Sequence, residues 1–276
     1  MKNLKVIFIA LVAVVAVVGL YSCNKTVDSV SVPVVSKTNI ADYANIVTSF
    51  ASDFDDELTS GEVLDLKSAS IGSCWTVTVD KNADGAFYPR VWTVDYLDGT
   101  CTLYSGYTKK GKIHVSLSDF WKNEGSLKTV TFEDYFINGN KMTGVKTILN
   151  TGLNERGNLT FTKTVADASL TYPDGTSISW KCDKQSELIG GGSTFVFADD
   201  VYSVTGTGSG VNLDGNKYIL TITSPLIYKN GCFYPVSGIV EIATDGAEKQ
   251  TIDYGNGDCD NLATQTIGGV STEIKL

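Results

Sequence analysis

Apolar side chains alternate with threonine, serine and charged residues over most of this chain, and short turn signals cut the alternation at intervals. Trp75, Val77 and Val79 alternate with threonines; Trp92, Val94 and Tyr96 alternate with Thr93 and Asp95. Asn138-Gly139, Pro173-Asp174-Gly175, Asp214-Gly215, Asp245-Gly246 and Gly268-Gly269 reverse a strand readily, because their residues accept the positive φ of tight hairpins. In the Pro173 turn, proline takes the second position of a type I turn and glycine the left-handed bulge, which sets Leu170 opposite Ile178. A period of two with local reversals predicts a mainly β fold: a long antiparallel meander curved into a sandwich or an open barrel. No helical pattern separates the strands, so a parallel α/β fold is excluded.

One helix is expected, before the strands. Ile40, Tyr43, Val47, Phe50, Phe54 and Leu58 recur at spacings of three and four, with Thr38 or Asn39 as cap and Gly61 as stop. This amphipathic N-terminal helix would cover part of one sheet face. Asp53, Asp55, Asp56 and Glu57 sit near its C-terminal end, where the helix dipole disfavours negative charge.

The N-terminus carries an address. Lys2 and Lys5 precede an apolar run from Val6 to Leu20, which at 15 residues is shorter than the roughly 20 a bilayer-spanning helix needs. A basic head followed by such a run reads as an export signal. Leu20-Tyr21-Ser22-Cys23 ends it, and this resembles the bacterial lipoprotein box. The resemblance implies cleavage before Cys23, lipidation of Cys23, and a chain held to a membrane by lipid with the rest in water. Residues 1–22 are then the signal peptide, 23–37 a tether, and 38–276 a single β-rich domain.

Cleavage removes two of the 22 basic residues and leaves all 31 acids, for a mature charge near −11. An acidic surface without a basic cluster excludes nucleic acid as a partner.

Six cysteines matter in an exported chain, because paired thiols can oxidise there. Cys74 and Cys101 are 27 residues apart, and so are Cys232 and Cys259. Between the pairs runs an echo: Val94-Asp95-Tyr96-x-x-Gly99-x-Cys101 repeats as Ile252-Asp253-Tyr254-x-x-Gly257-x-Cys259. A duplicated unit over about 61–115 and 219–276 follows. Folding about Asp245-Gly246 places Cys232 opposite Cys259, which favours the bridges Cys232–Cys259 and Cys74–Cys101. The rival pairing joins equivalent positions, Cys74–Cys232 and Cys101–Cys259. Cys182 alternates with Ile178 and Trp180 and reads as a buried free thiol.

With its lipoprotein box and the segment Asp253-Tyr-Gly-Asn-Gly-Asp-Cys-Asp-Asn261, the chain resembles Bacteroidota-type envelope lipoproteins with duplicated D-Y-x-x-G-x-C hairpins. The resemblance implies an envelope location and carries no activity with it.

Chemistry-bearing motifs are sparse. His114 is the sole histidine, inside the strand-like Lys112-Ile113-His114-Val115-Ser116, so a Ser-His-Asp or Cys-His centre has one place to be. The glycine runs Gly190-Gly191-Gly192 and Gly206-Thr-Gly208-Ser-Gly210 lack the lysine and the helix that phosphate or dinucleotide sites require. Asp253, Asn256, Asp258 and Asp260 put oxygen ligands near one another, a weak calcium pattern that also suits an ordinary Asp/Asn-rich turn. The acids show no spacing that singles out a glycosidase pair. The sequence therefore predicts no cofactor, no catalytic residue and no metal site. It points to a lipid-anchored envelope protein, outer-membrane and on the periplasmic side rather than the surface, acting as a non-catalytic binding or structural module. Its partners would be the membrane, through the lipid, and a glycan or protein ligand. The alternatives are a carbohydrate-binding or carbohydrate-processing lipoprotein and a carrier of apolar ligands.

Overall fold

Alternation and turn chemistry build one sheet. The computed structural model describes residues 74–80, 84–102, 108–194, 196–232 and 234–276, with the side chains of 98–102 and Phe197 left out. The chain divides into two units, Met1–Lys37 and Thr38–Leu276, and every described residue belongs to the second. The expected signal, tether and amphipathic helix lie outside the described residues.

The strands are β1 (Thr76–Val79), β2 (Arg90–Thr102), β3 (Thr108–Leu117), β4 (Leu127–Ile137) and β5 (Asn140–Leu153). There follow β6 (Leu159–Thr171), β7 (Ser177–Gly190), β8 (Val201–Val211) and β9 (Lys217–Lys229). The last four are β10 (Ser237–Thr244), β11 (Gln250–Asn256), β12 (Leu262–Ile267) and β13 (Val270–Lys275). Each pairs antiparallel with the next, giving one 13-stranded sheet in sequence order that does not close on itself. Among the described residues there is no second sheet and no α-helix.

The turns fall where their chemistry requires. Asn138 and Gly139 take φ of 50° and 80° and bring Ile137 opposite Asn140. Gly268 and Gly269 do the same for Ile267 and Val270. Leu170 pairs with Ile178, as the turn register demands.

The inner face is mostly apolar. Trp92, Val94 and Tyr96 of β2, Ile113 and Val115 of β3, Ile178 and Trp180 of β7, and Tyr218 and Leu220 of β9 are all buried. Burying such side chains contributes about 1.5–3 kcal/mol each.

Bulges interrupt the ladders at Glu133–Asp134 on β4, at Ala166–Asp167 on β6 and between Ile222 and Leu226 on β9. Asp134 and Asp167 take positive φ of 40° and 49°, and Gly144 and Gly206, on strands facing the bulges of β6 and β9, take 133° and 134°. A bulge inserts one residue, bends the strand and reverses the facing of everything beyond it. Repeated on three strands, bulges curve the sheet. The curvature lets the loop after β3 cross its upper end: Lys122 Nζ donates to the Thr194 carbonyl at 3.0 Å, and Trp121 stacks on Phe161 with ring centroids 6.0 Å apart.

The glycine run of β8 permits a close approach. Tyr218 OH on β9 donates to the Ser179 carbonyl on β7 at 3.0 Å, passing over Gly210 of the strand between. A methyl group at 210 would lie 1.8 Å from that carbonyl and 2.5 Å from the phenol oxygen. Gly210→Ala is expected to break this bond and overpack the face, lowering unfolding free energy by about 1–3 kcal/mol in urea titrations.

Candidate functional site

On β4 a bulge moves the core to a residue that strict alternation would not choose. On β4, Val130 and Phe132 face inward, the bulge follows, and Tyr135 rather than Phe136 continues the core; Tyr135 is fully buried. Phe136 turns outward between Lys110 and Lys141. On β5 the alternation runs unbroken from Met142 through Gly144 to Lys146, so Lys146 points inward and Val145 outward. Val145 is 40% exposed and Lys146 only 9%.

Lys146 belongs to a cationic patch spanning three strands. It pairs with Val165 on β6, which pairs with Cys182 on β7. One step higher, Ile148 pairs with Lys163, and Lys163 lies directly opposite Lys184. Lys163 and Lys184 are 8% and 4% exposed. Lys163 Nζ sits 5.5 Å from the centre of the Tyr202 ring, and the Tyr202 hydroxyl donates to buried Asp200 at 3.2 Å. Above them, Asn150 Nδ2 donates to the Trp121 carbonyl at 2.8 Å. The inner face between β5 and β7 thus carries three lysines and Asn150 among buried apolar side chains such as Phe161 and Leu188.

The predicted site residues are distributed as follows. Cys23 lies outside the described residues. Cys232 and Cys259 are disulfide-bonded, with Cα atoms 5.5 Å apart. That excludes the rival pairing of equivalent positions. The bond joins the β9–β10 and β11–β12 loops, which Lys229 Nζ also ties by donating to the Gly257 carbonyl at 2.8 Å. Cys74 is disulfide-bonded as well. The side chain of Cys101 is not described. Cys182 is buried and not disulfide-bonded.

The equal 27-residue spacings hide unequal registers. Asp95 pairs with Thr76, two residues after Cys74, whereas Asp253 pairs with Ile239, seven residues after Cys232. The Asp-Tyr strands also run in opposite senses, since β2 and β11 have opposite parity in the meander. Cys101 and Cys259 therefore end at opposite edges of the sheet. What the copies share is the second strand, with Tyr96 and Tyr254 both buried. Burial pushes the Tyr254 phenol up, because the phenolate would lose its hydration.

The calcium pattern does not converge. The Asp253 carboxylate accepts from the Gly255 amide at 2.9 Å, and that of Asp260 from the Leu262 amide at 3.0 Å. Each carboxylate shapes its own turn. Among the described residues, no cluster of three or more His, Cys, Asp or Glu could hold a metal ion.

His114 forms part of a cross-strand chain on the outer face. Thr93 Oγ1 lies 3.0 Å from Nδ1, and Glu133 Oε2 lies 2.9 Å from Nε2. The order hydroxyl, imidazole, carboxylate matches that of a nucleophile relay. Here the three groups come from neighbouring strands β2, β3 and β4 on the open side of the sheet, with Lys112 3.8 Å from Glu133. The chain of bonds pins strand register.

At the upper rim Glu187 accepts from Asn158 Nδ2 at 2.7 Å and from Arg156. Asn158 and Asn154, with Arg156 beside them, hold its carboxyl below the usual range.

No protein-family model, no curated protein and no solved structure matches this chain.

Proposed function

We propose that this protein is a lipid-anchored component of a bacterial cell envelope that works as a non-catalytic binding or structural module. The observation carrying the proposal is the disulfide Cys232–Cys259. Such bonds persist in oxidising compartments, and the cytosol keeps thiols reduced. The bond therefore agrees with an export signal that ends in Ser22-Cys23. The resemblance to Bacteroidota-type lipoproteins with paired D-Y-x-x-G-x-C hairpins supports the same reading. A carrier of apolar ligands takes second place, because Lys146, Lys163 and Lys184 lie on the inner face.

The test is Cys23→Ser. In a host with lipoprotein processing, the wild-type chain is expected in the membrane pellet after carbonate washing. The variant is expected in the soluble fraction, or as uncleaved precursor. A Cys23→Ser protein that is cleaved and still sediments with membrane would refute lipid anchoring.

A further inference from the structure

We propose that the outer edge of β13 pairs antiparallel with the β13 edge of a second copy of this chain, joining two sheets across a two-fold axis. This inference is independent of the membrane anchor.

The first argument is an open edge. β13 ends the sheet and, among the described residues, pairs with β12 alone. Ser271, Thr272, Glu273 and Lys275 are exposed, and Val270 is 70% exposed. The Leu276 amide donates to the Asn261 carbonyl at 2.9 Å. Backbone groups alternate sides along an antiparallel strand, so Thr272 and Ile274 also turn theirs toward β12. The N–H and C=O groups of Ser271, Glu273 and Lys275 therefore point away from the sheet. Such a row is a template for another strand.

The second argument is charge. A charged side chain ordinarily blunts an edge. On β13 an acid and a base stand two positions apart on the outer face, and within the chain they lie opposite Thr264 and Leu262 of β12. Opposite charges set across from one another stabilise a strand pair, and like charges destabilise it. Glu273 and Lys275 thus make the edge complementary to a copy of itself.

The third argument is register. In a two-fold pairing the numbers of opposite residues sum to a constant, and the contact is closed at two copies. An axis on Glu273 or Lys275 sets like charges face to face. An axis on Ser271 or Thr272 leaves Lys275 opposite no acid. An axis on Ile274 sets Glu273 opposite Lys275 on both sides of it, each pair exchanging both backbone bonds. The same register brings the two Ile274 side chains together on the inner face, where each is already buried in its own core. The overlap is short, so the dimer is expected to be weak and concentration-dependent.

Sedimentation equilibrium of the full chain, in density-matched detergent, tests the pairing. The expected result is a monomer–dimer equilibrium. Glu273→Lys and Lys275→Glu should each weaken the dimer at least about tenfold, and the two changes together should restore it to within about threefold. Both side chains are exposed, so these variants leave the core intact. Mild oxidation reads the register. Ile274→Cys should form a reducible dimer through its own position, because a pair of this kind brings Cα atoms to about 4.5 Å, within disulfide reach, and Thr272→Cys should not. A wild-type chain that stays monomeric at all concentrations overturns the proposal. So does a dimer that both single reversals leave unchanged, or one that the double reversal fails to restore. Growth beyond two copies would mean pairing with a different edge. A monomer that leaves the envelope bound to another protein, and loses it on Glu273→Lys, would assign the edge to that protein. Either result overturns self-pairing.

Discussion

Trp92→Ala is expected to lower the unfolding free energy by about 3–5 kcal/mol, a large part of the 5–15 kcal/mol typical of a domain. Trp92 is completely buried in β2, between Val79 of β1 and Val115 of β3. Its removal leaves a cavity against two neighbouring strands that hold each other in place. Among the described residues the indole N–H has no acceptor, so the side chain contributes by packing alone. Trp92→Phe should therefore cost much less than Trp92→Ala. Urea unfolding followed by far-ultraviolet circular dichroism checks both. Equal midpoints for wild type and Trp92→Ala would show that the inner face is not the packed one.

The second large effect belongs to the disulfide. Replacing Cys232 and Cys259 together by serine opens a 27-residue separation. Loop-closure entropy assigns about 3–4 kcal/mol to a bond of that span. The loss should concentrate in β9 to β12, because the bond ties the two upper loops that hold β10 and β11 in register. Wild-type protein under reductant should lose more than the double variant does, since Cys74 is also disulfide-bonded. Hydrogen exchange resolved by peptide would show protection falling first in β10 and β11. A double variant with wild-type stability and exchange would mean that the strands alone fix the loops.

Much of the architecture was legible because its signals are local. Dipeptides such as Asn138-Gly139 and Gly268-Gly269 specify tight turns through their own φ preferences, and period-two alternation needs no distant partner. The Cys232–Cys259 bond followed from a turn position, with the ladder settling one residue from the ideal register: Val240 pairs with Ile252 around the Asp245-Gly246 turn. The bulges were not legible. Asp134 and Asp167 take positive φ inside strands, and aspartate is too common on exposed strand faces for its identity alone to announce a reversal of facing. The bulge on β4 is why Tyr135, and not Phe136, continues the core after Phe132. Part of the cationic row did leave a signal. The alternation Ile178, Trp180, Cys182 runs on through Lys184 and Ser186 to Leu188, and all six are buried. A lysine inside an unbroken apolar period is the mark that could have found it. The duplicated hairpins misled in the other direction: identical spacing between cysteines came with different pairing, because hairpin loop length, not cysteine separation, sets register.

The account's central claim is an exported, lipid-carrying chain. Intact-mass spectrometry of the protein extracted from envelope membranes tests it most directly. The predicted mass is that of residues 23–276 with a diacylglyceryl group and an amide-linked acyl chain on Cys23. A mass corresponding to an unmodified Cys23, or to a chain that keeps residues 1–22, would contradict it.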